Sequence, residues 1–141
     1  SQFAKQSWVE LGNVDALRDF TYVEESAEAL IQLIESDIPD GEAVNVGSGL
    51  TYSVKELALR IAKIMDKPAD IRIDPKRFRK YDIPVFSAAI AKLQKYTGWE
   101  PKISIDEGLK RTVEWYRAHG EKWSWEKWAK GKVDGGDARR R

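Results

Sequence analysis

Residues Leu11 to Ala29 read LGNVDALRDFTYVEESAEA, and the order of signals in this stretch decides the fold. Gly12-Asn13 is a strong turn signal. Arg18 and Asp19 lead into Phe20-Thr21-Tyr22-Val23, a run of aromatic and β-branched residues, so Leu17 to Val23 is expected to run extended. From Glu24 onward Ala27, Leu30, Ile31 and Ile34 recur at helical spacing. Glu24 and Glu25 fall in the first turn, where carboxylates offset the positive end of the helix dipole. A turn, an extended run and a helix follow one another within one short stretch, the pattern of an α/β chain.

The flanks continue it. Upstream, Ser7 to Leu11 alternates and is rich in strand formers. Downstream, the helix is expected to end near Ser36, before the Pro39-Asp40-Gly41 turn. Glu42 to Val46 reads as a short strand, and Ser53-Val54-Lys55-Glu56 is a capping box. The helix behind it carries Val54, Leu57, Ala58, Ile61 and Ile64 on one face and stops at Lys67-Pro68. Asp70 to Ile73 is a strand candidate, and Pro75 to Pro84, basic and aromatic with a proline at each end, reads as a loop. Ser87 to Tyr96 reads as helix up to Gly98. A second capping box, Ser104 to Glu107, opens a helix through Leu109, Thr112, Val113 and Tyr116 that ends at His119-Gly120. Two regions are expected, an α/β domain over 1–120 and a Trp-rich basic tail over 121–141. In the tail Trp123, Trp125 and Trp128 are too apolar to be left in water as a cluster, whereas the extreme end is expected to be disordered.

Composition narrows the function. A chain of 141 residues can bury a real core. With no cysteine there is no disulfide, zinc-thiolate site or thiol nucleophile. A formal net charge of +1 gives no global field to select nucleic acid or membrane. No apolar run approaches the roughly 18 residues of a spanning helix. The N-terminus lacks the pattern of a signal peptide, so a cytoplasmic protein is expected.

Several stretches have chemistry open to them. Gly47-Ser48-Gly49 between strand and helix has the context of a dinucleotide fingerprint. Tyr52 stands at the third glycine, and a tight structural turn is the alternative. Arg18, beside the Gly12-Asn13 turn, has either of two uses. It can hold a diphosphate through a forked pair of hydrogen bonds, or form an ion pair with Asp19, Asp15 or a helix start. Arg77-Phe78-Arg79-Lys80-Tyr81 interleaves cations with rings. That suits a local anion site, single-stranded nucleic acid or a solvated basic loop.

These motifs share a family resemblance. Leu11-Gly12-Asn13, Asp15-Ala16 and Arg18-Asp19-Phe20 resemble the LGNxDAxRDW segment of GDP-mannose 4,6-dehydratases. More widely, they resemble the RD-aromatic segment of extended short-chain dehydrogenases acting on nucleotide sugars. Asn45 to Gly49 is similar to the N-x-G-x-G element of the same C-terminal, substrate-binding part, where it is structural. Arg77 to Pro84 resembles an R-x-R-P-x-D-[VI]-P segment, with Lys80 at the proline. Lys92 to Pro101 is similar to a K-L-x-x-x-T-G-W-x-P segment, with Ala91 in place of the usual preceding serine.

The resemblance implies a small mixed α/β domain of about four helices around a few short, partly parallel strands, without a complete dinucleotide-binding half. It implies a nucleotide sugar, bound weakly, as ligand. Arg18 and Asn13 of the first motif would line the site with Arg79 as diphosphate ligand, and Asp82 would hold ribose or fix the arginine. Arg77 is the other candidate, because the arginine-to-aspartate spacing varies within the family. The family uses NADP or NAD with a Tyr-x-x-x-Lys pair. Here Tyr22, Tyr52, Tyr81, Tyr96 and Tyr116 are followed four residues on by Ser26, Glu56, Val85, Glu100 and Gly120. No catalytic residue, cofactor site or metal site is therefore expected in this chain, and no activity from it alone. Two roles follow. One is a substrate-binding region that works with a cofactor-domain partner. The other is a homo-oligomeric interaction protein that kept the fold and lost the enzyme role.

Overall fold

A computed structural model describes residues 8–119. Within them the chain is a mixed α/β unit whose strands form two small sheets. In the first, β1 (Trp8–Leu11) pairs in parallel with β4 (Asp70–Ile73), Val9 opposite Ile71. In the second, β2 (Leu17–Asp19) lies between β3 (Thr51–Ser53), antiparallel, and β5 (Val85–Phe86), parallel. Four helices surround them: α1 (Val23–Ile34), α2 (Val54–Ile64), α3 (Ala91–Thr97) and α4 (Ile105–His119). Helix α1 packs on α3, and α2 packs on α4. None of these helices is long and apolar enough to cross a membrane.

Local chemistry explains the firmest elements. The Ser53 hydroxyl accepts from the Glu56 N–H at 3.1 Å while the Glu56 carboxylate accepts from the Ser53 N–H at 2.7 Å, so the capping box forms in full. The same helix ends with the Lys67 N–H on the Ala62 carbonyl and the Asp66 N–H on that of Lys63. That double return needs a left-handed residue, and Asp66 supplies it at φ 53°. At the end of α3 Gly98 takes the same role at φ 68°.

Two apolar clusters hold the layers. Val9, Ala58 and Ala62 join β1 to α2, with Leu11, Ile61, Met65 and Ile71 around them. Ala29, Leu93 and Trp99 join α1 to α3. Glu25, on the inner face of α1, is the one buried carboxylate among the described residues, 4 % exposed. It accepts from the backbone N–H groups of Lys102 and Ile103, which fixes the approach to α4 without leaving a buried charge unsatisfied.

The structure departs from the sequence expectations in several places. Glu42 to Val46 forms no strand: Val44 and Val46 pack against the second cluster, and no neighbouring strand pairs with the segment. Helix α3 begins at Ala91 rather than Ser87, because no side chain caps it at Ile90. Strand pairing stops at Asp19; Tyr22 is still extended (φ −66°, ψ 139°), and Val23, expected at the end of the extended run, opens α1. The second capping box is half made. Ser104 accepts from the Glu107 N–H at 3.3 Å, but the Glu107 carboxylate is taken by Arg111. Short strands β3 and β5 were not expected at all. The Trp-rich tail lies outside the described residues.

Candidate functional site

The site is built on β2, whose three residues Leu17, Arg18 and Asp19 reach two different loops. Asp19 gathers the first. Its carboxylate accepts from the Ser48 N–H (2.9 Å), the Ser48 hydroxyl (2.7 Å), the Gly49 N–H (2.8 Å) and the Ala88 N–H (3.2 Å). One side chain thus ties β2 to the glycine-rich turn and to the segment before α3. Partial burial pushes its pKa up, but the bonds from Ser48, Ala88 and Gly49 together outweigh this and hold it below the ordinary 3.8.

The sign of the pH effect follows. A carboxyl held below its unfolded pKa adds stability above that value and loses it as pH falls through the folded one. The thermal midpoint is expected to fall as the solution is acidified below the ordinary carboxylate range. Asp19→Asn should flatten that fall, read by circular dichroism melts between about pH 3 and 7. An unchanged acid slope in Asp19→Asn would remove Asp19 from this role.

This geometry also answers the dinucleotide question for Gly47-Ser48-Gly49. The N–H groups of Ser48 and Gly49 that would cradle a phosphate bond the Asp19 carboxylate instead. Both N–H groups are thus engaged within the chain.

Arg18 gathers the second loop. Its Nη1 donates to the carbonyls of Leu17 and Ile83, both at 2.7 Å, and its Nη2 donates to Asp82 Oδ1 at 2.5 Å. Asn13 Nδ2 donates to the other Asp82 oxygen at 2.8 Å, and Asn13 Oδ1 accepts from the Asp15 N–H at 3.2 Å. The Leu17 N–H reaches the Pro84 carbonyl at 2.8 Å. Asn13, Arg18 and Asp82 therefore form one network across β2 and the 78–84 loop. The ion pair is largely shielded, its side chains 24 % and 19 % exposed. The carboxylates nearest Arg18 in sequence, Asp15 and Asp19, are not its partners in this network. A guanidinium has five N–H donors, and among the described residues three of those of Arg18 are committed.

The two remaining sequence candidates separate. Arg79 leaves the same loop three residues before Asp82 and is exposed. Among the described residues it has no hydrogen-bond or ion-pair partner. Arg77 turns toward the other sheet, to Asp74 at 3.3 Å and Glu10 at 3.5 Å. Its own carbonyl stands 2.7 Å from where a Cβ on Gly12 would lie. That close approach explains why the LGN turn carries glycine.

One feature was not anticipated in the sequence. A cleft of about 600 Å³ opens between Phe20 to Glu24 and helix α4, floored by Leu57. Its rings are part exposed: Phe20 at 37 %, Trp115 at 41 % and Tyr116 at 43 %. The helical spacing of α4 pointed to a core face, and nothing local in the sequence shows that the neighbouring layer stops short of it.

Known proteins resemble this chain in sequence and in fold. The profile of the GDP-mannose 4,6 dehydratase family matches residues 2–112. The chain is 36 % identical over 112 residues to UDP-glucuronate 4-epimerase of Thermodesulfobacterium geofontis, covering 78 % of this chain and 33 % of that protein. It is 30 % identical over 127 residues to GDP-mannose 4,6 dehydratase 2 of Caenorhabditis elegans, covering 77 % and 33 %. In three dimensions it resembles UDP-glucose 4-epimerase of Thermotoga maritima, solved with UDP-glucose. There the TM-score is 0.66 at 32 % identity, over 78 % of this chain and 35 % of that one. The chain thus spans about a third of the length of the curated relatives it matches.

Proposed function

The chain belongs to the GDP-mannose 4,6-dehydratase family of NAD(P)-dependent sugar-nucleotide dehydratases and epimerases, and from that premise we propose that it is a nucleotide-sugar-binding region. The observation that carries the reading is the Asn13–Asp82–Arg18 network with Arg79 on the same loop. Asp82 and two carbonyls hold the Arg18 guanidinium in place, so its uncommitted N–H groups are set before a ligand arrives. Arg79 then closes on the diphosphate from the loop. Two planar forks suit phosphoryl oxygens better than point charges do. Asp82 and Asn13 position, and Arg77, drawn off to Asp74 and Glu10, contributes charge at a distance. The ligand is a GDP-mannose-like nucleotide sugar.

No bond-making step is assigned to these residues. Proton and hydride transfer would require the tyrosine-lysine pair and a cofactor held by a further stretch of protein, in the same polypeptide or on a partner. An exposed apolar run favours such a neighbour: Phe78 is 51 % exposed, Tyr81 84 %, Ile83 58 % and Phe86 59 %. The same run supports self-association as the second role, and light scattering on the 141-residue chain separates a monomer from an oligomer.

For the chain alone, contacts from any neighbouring stretch are missing, so affinity for GDP-mannose is expected to be weak, on the order of 0.1–1 mM. Arg79→Ala should weaken it about tenfold, or about 1.4 kcal/mol. Lys80→Ala should leave it nearly unchanged, because an ammonium lacks the fork. Isothermal titration of the three proteins is the check. Equal losses from both substitutions would mean a diffuse charge effect and would sink the assigned roles.

A further inference from the structure

We propose that segment 42–46 is an open strand edge that pairs with the same segment of a second copy of this chain, antiparallel about a twofold axis at Val44. The inference does not rest on the nucleotide-sugar reading, and it uses other residues than the apolar run from Phe78 to Phe86.

The first ground is a backbone without partners. Along 42–46 exposure alternates: Glu42, Val44 and Val46 are part buried, whereas Ala43 and Asn45 are exposed. That is the period of a strand with one face packed. The packed face rests on the cluster of Ala29, Leu93 and Trp99. Among the described residues, however, the N–H groups of Val44 and Val46 have no hydrogen-bond partner. The strand before α1 in the chain, β2, cannot supply one, because β3 and β5 already pair with both its sides.

The second ground is which edge is open. Lys92, at the start of α3, donates to the Ala43 carbonyl at 3.3 Å and also to the Glu42 carboxylate. Backbone groups of successive strand residues point to opposite edges. Helix α3 therefore covers the edge of Ala43 and Asn45, and the edge of Val44 and Val46 is the bare one. Helix α1, which shares the cluster, leaves an apolar stripe uncovered: Leu30 is 53 % exposed, Ile31 56 % and Ile34 84 %. In the proposed dimer both copies of α1 lie on one face of the two-stranded sheet, where these side chains meet their counterparts.

The third ground is fit. A twofold axis brings two identical strands together antiparallel. Centred on Val44, the register exchanges two backbone bonds between the Val44 residues. It sets Ala43 against Asn45 and Glu42 against Val46, so no like charges stand opposite one another. A net charge of +1 adds no general repulsion between copies. Covering the strand edge and the three α1 side chains on both copies removes on the order of 1,000 Å² from water, the size a specific interface needs.

The chain has no cysteine, so Ala43→Cys and Asn45→Cys each give a single thiol in the full 141-residue protein. In the proposed register residue 43 of one copy faces residue 45 of the other across a non-hydrogen-bonded pair. Their Cα atoms are then about 4.5 Å apart, within disulfide reach. Each residue and its own counterpart lie on a diagonal, roughly 7–8 Å apart and beyond that reach. One variant is enriched in nitrogen-15, the two are mixed and oxidised, and the dimers are counted by mass spectrometry. The mixed disulfide should exceed either self-disulfide about tenfold. Products in statistical proportion, or no disulfide at all, would overturn the proposal. Light scattering should show a dimer for the wild type and a monomer for Ile34→Glu, with unchanged circular dichroism, because that residue is already 84 % exposed. A monomeric wild type, or a dimer that survives Ile34→Glu, would overturn it equally.

Discussion

Asp19→Ala is expected to lower the unfolding free energy by about 3 kcal/mol. The side chain removed accepts four hydrogen bonds, three from backbone N–H groups and one from a hydroxyl, and these come from two segments far along the chain. A hydrogen bond to a charged acceptor contributes about 1.5–3 kcal/mol, so a simple sum would be larger. Asp19 is only part buried, and water replaces some of the lost bonds, which brings the figure down. Asp19→Asn should fall between wild type and alanine, because one amide oxygen can accept but the amide nitrogen faces donors. Urea unfolding followed by far-ultraviolet circular dichroism measures both. A loss in Asp19→Ala below about 1 kcal/mol would show that the turn and the 87–90 segment hold their places without the carboxylate.

Gly47→Ala should cost about as much, roughly 3 kcal/mol, by crowding the same junction. A Cβ at Gly47 would lie 2.5 Å from the Ala88 Cβ and 2.9 Å from Asp19 Oδ2. Neither neighbour can yield freely. Ala88 has no side-chain torsion to turn, and moving its backbone breaks the bond to Asp19. Overpacking alone costs about 1–3 kcal/mol, and the displaced carboxylate bonds add to it. Because both substitutions loosen one junction, the double variant Asp19→Ala with Gly47→Ala should lose clearly less than the sum of the two. Strict additivity in the same urea experiment would mean that the two residues act through separate contacts.

How much of this was legible in the sequence depended on the range of the forces involved. Helix α2 was plain because its stop and start signals are local: the Ser53–Glu56 box is complete within four residues. Helix α3 was placed with its start too early because nothing local caps Ile90, and the segment before it is held instead by Asp19, 69 residues away from Ala88. The strand expected over Glu42–Val46 had the right residue types but no pairing partner, which composition cannot reveal. Strand β5, only Val85–Phe86, exists through its register with Leu17 and Arg18. The site divides in the same way. The residues themselves left Arg18 open between a ligand and a nearby ion pair. The partner in the structure is Asp82, 64 positions on, which neither spacing nor charge pattern could select. The family resemblance drew attention to Asp82 as a residue that fixes an arginine, but it named Arg79 rather than Arg18. The cleft beside α4 was invisible, since an apolar helix face is read the same way whether or not a neighbour covers it.

The central claim is that the loop carrying Arg79 and Asp82 and the strand carrying Arg18 together bind the diphosphate of a nucleotide sugar. Amide-shift mapping of the isotope-enriched chain with millimolar GDP-mannose tests it most directly, with inorganic diphosphate as the reference ligand. The account predicts that both ligands move the amides around Arg18 and from Arg79 to Ile83, with GDP-mannose adding shifts of its own beyond them. If GDP-mannose moves none of these amides at millimolar concentration, the nucleotide-sugar reading is contradicted and the interaction role takes its place.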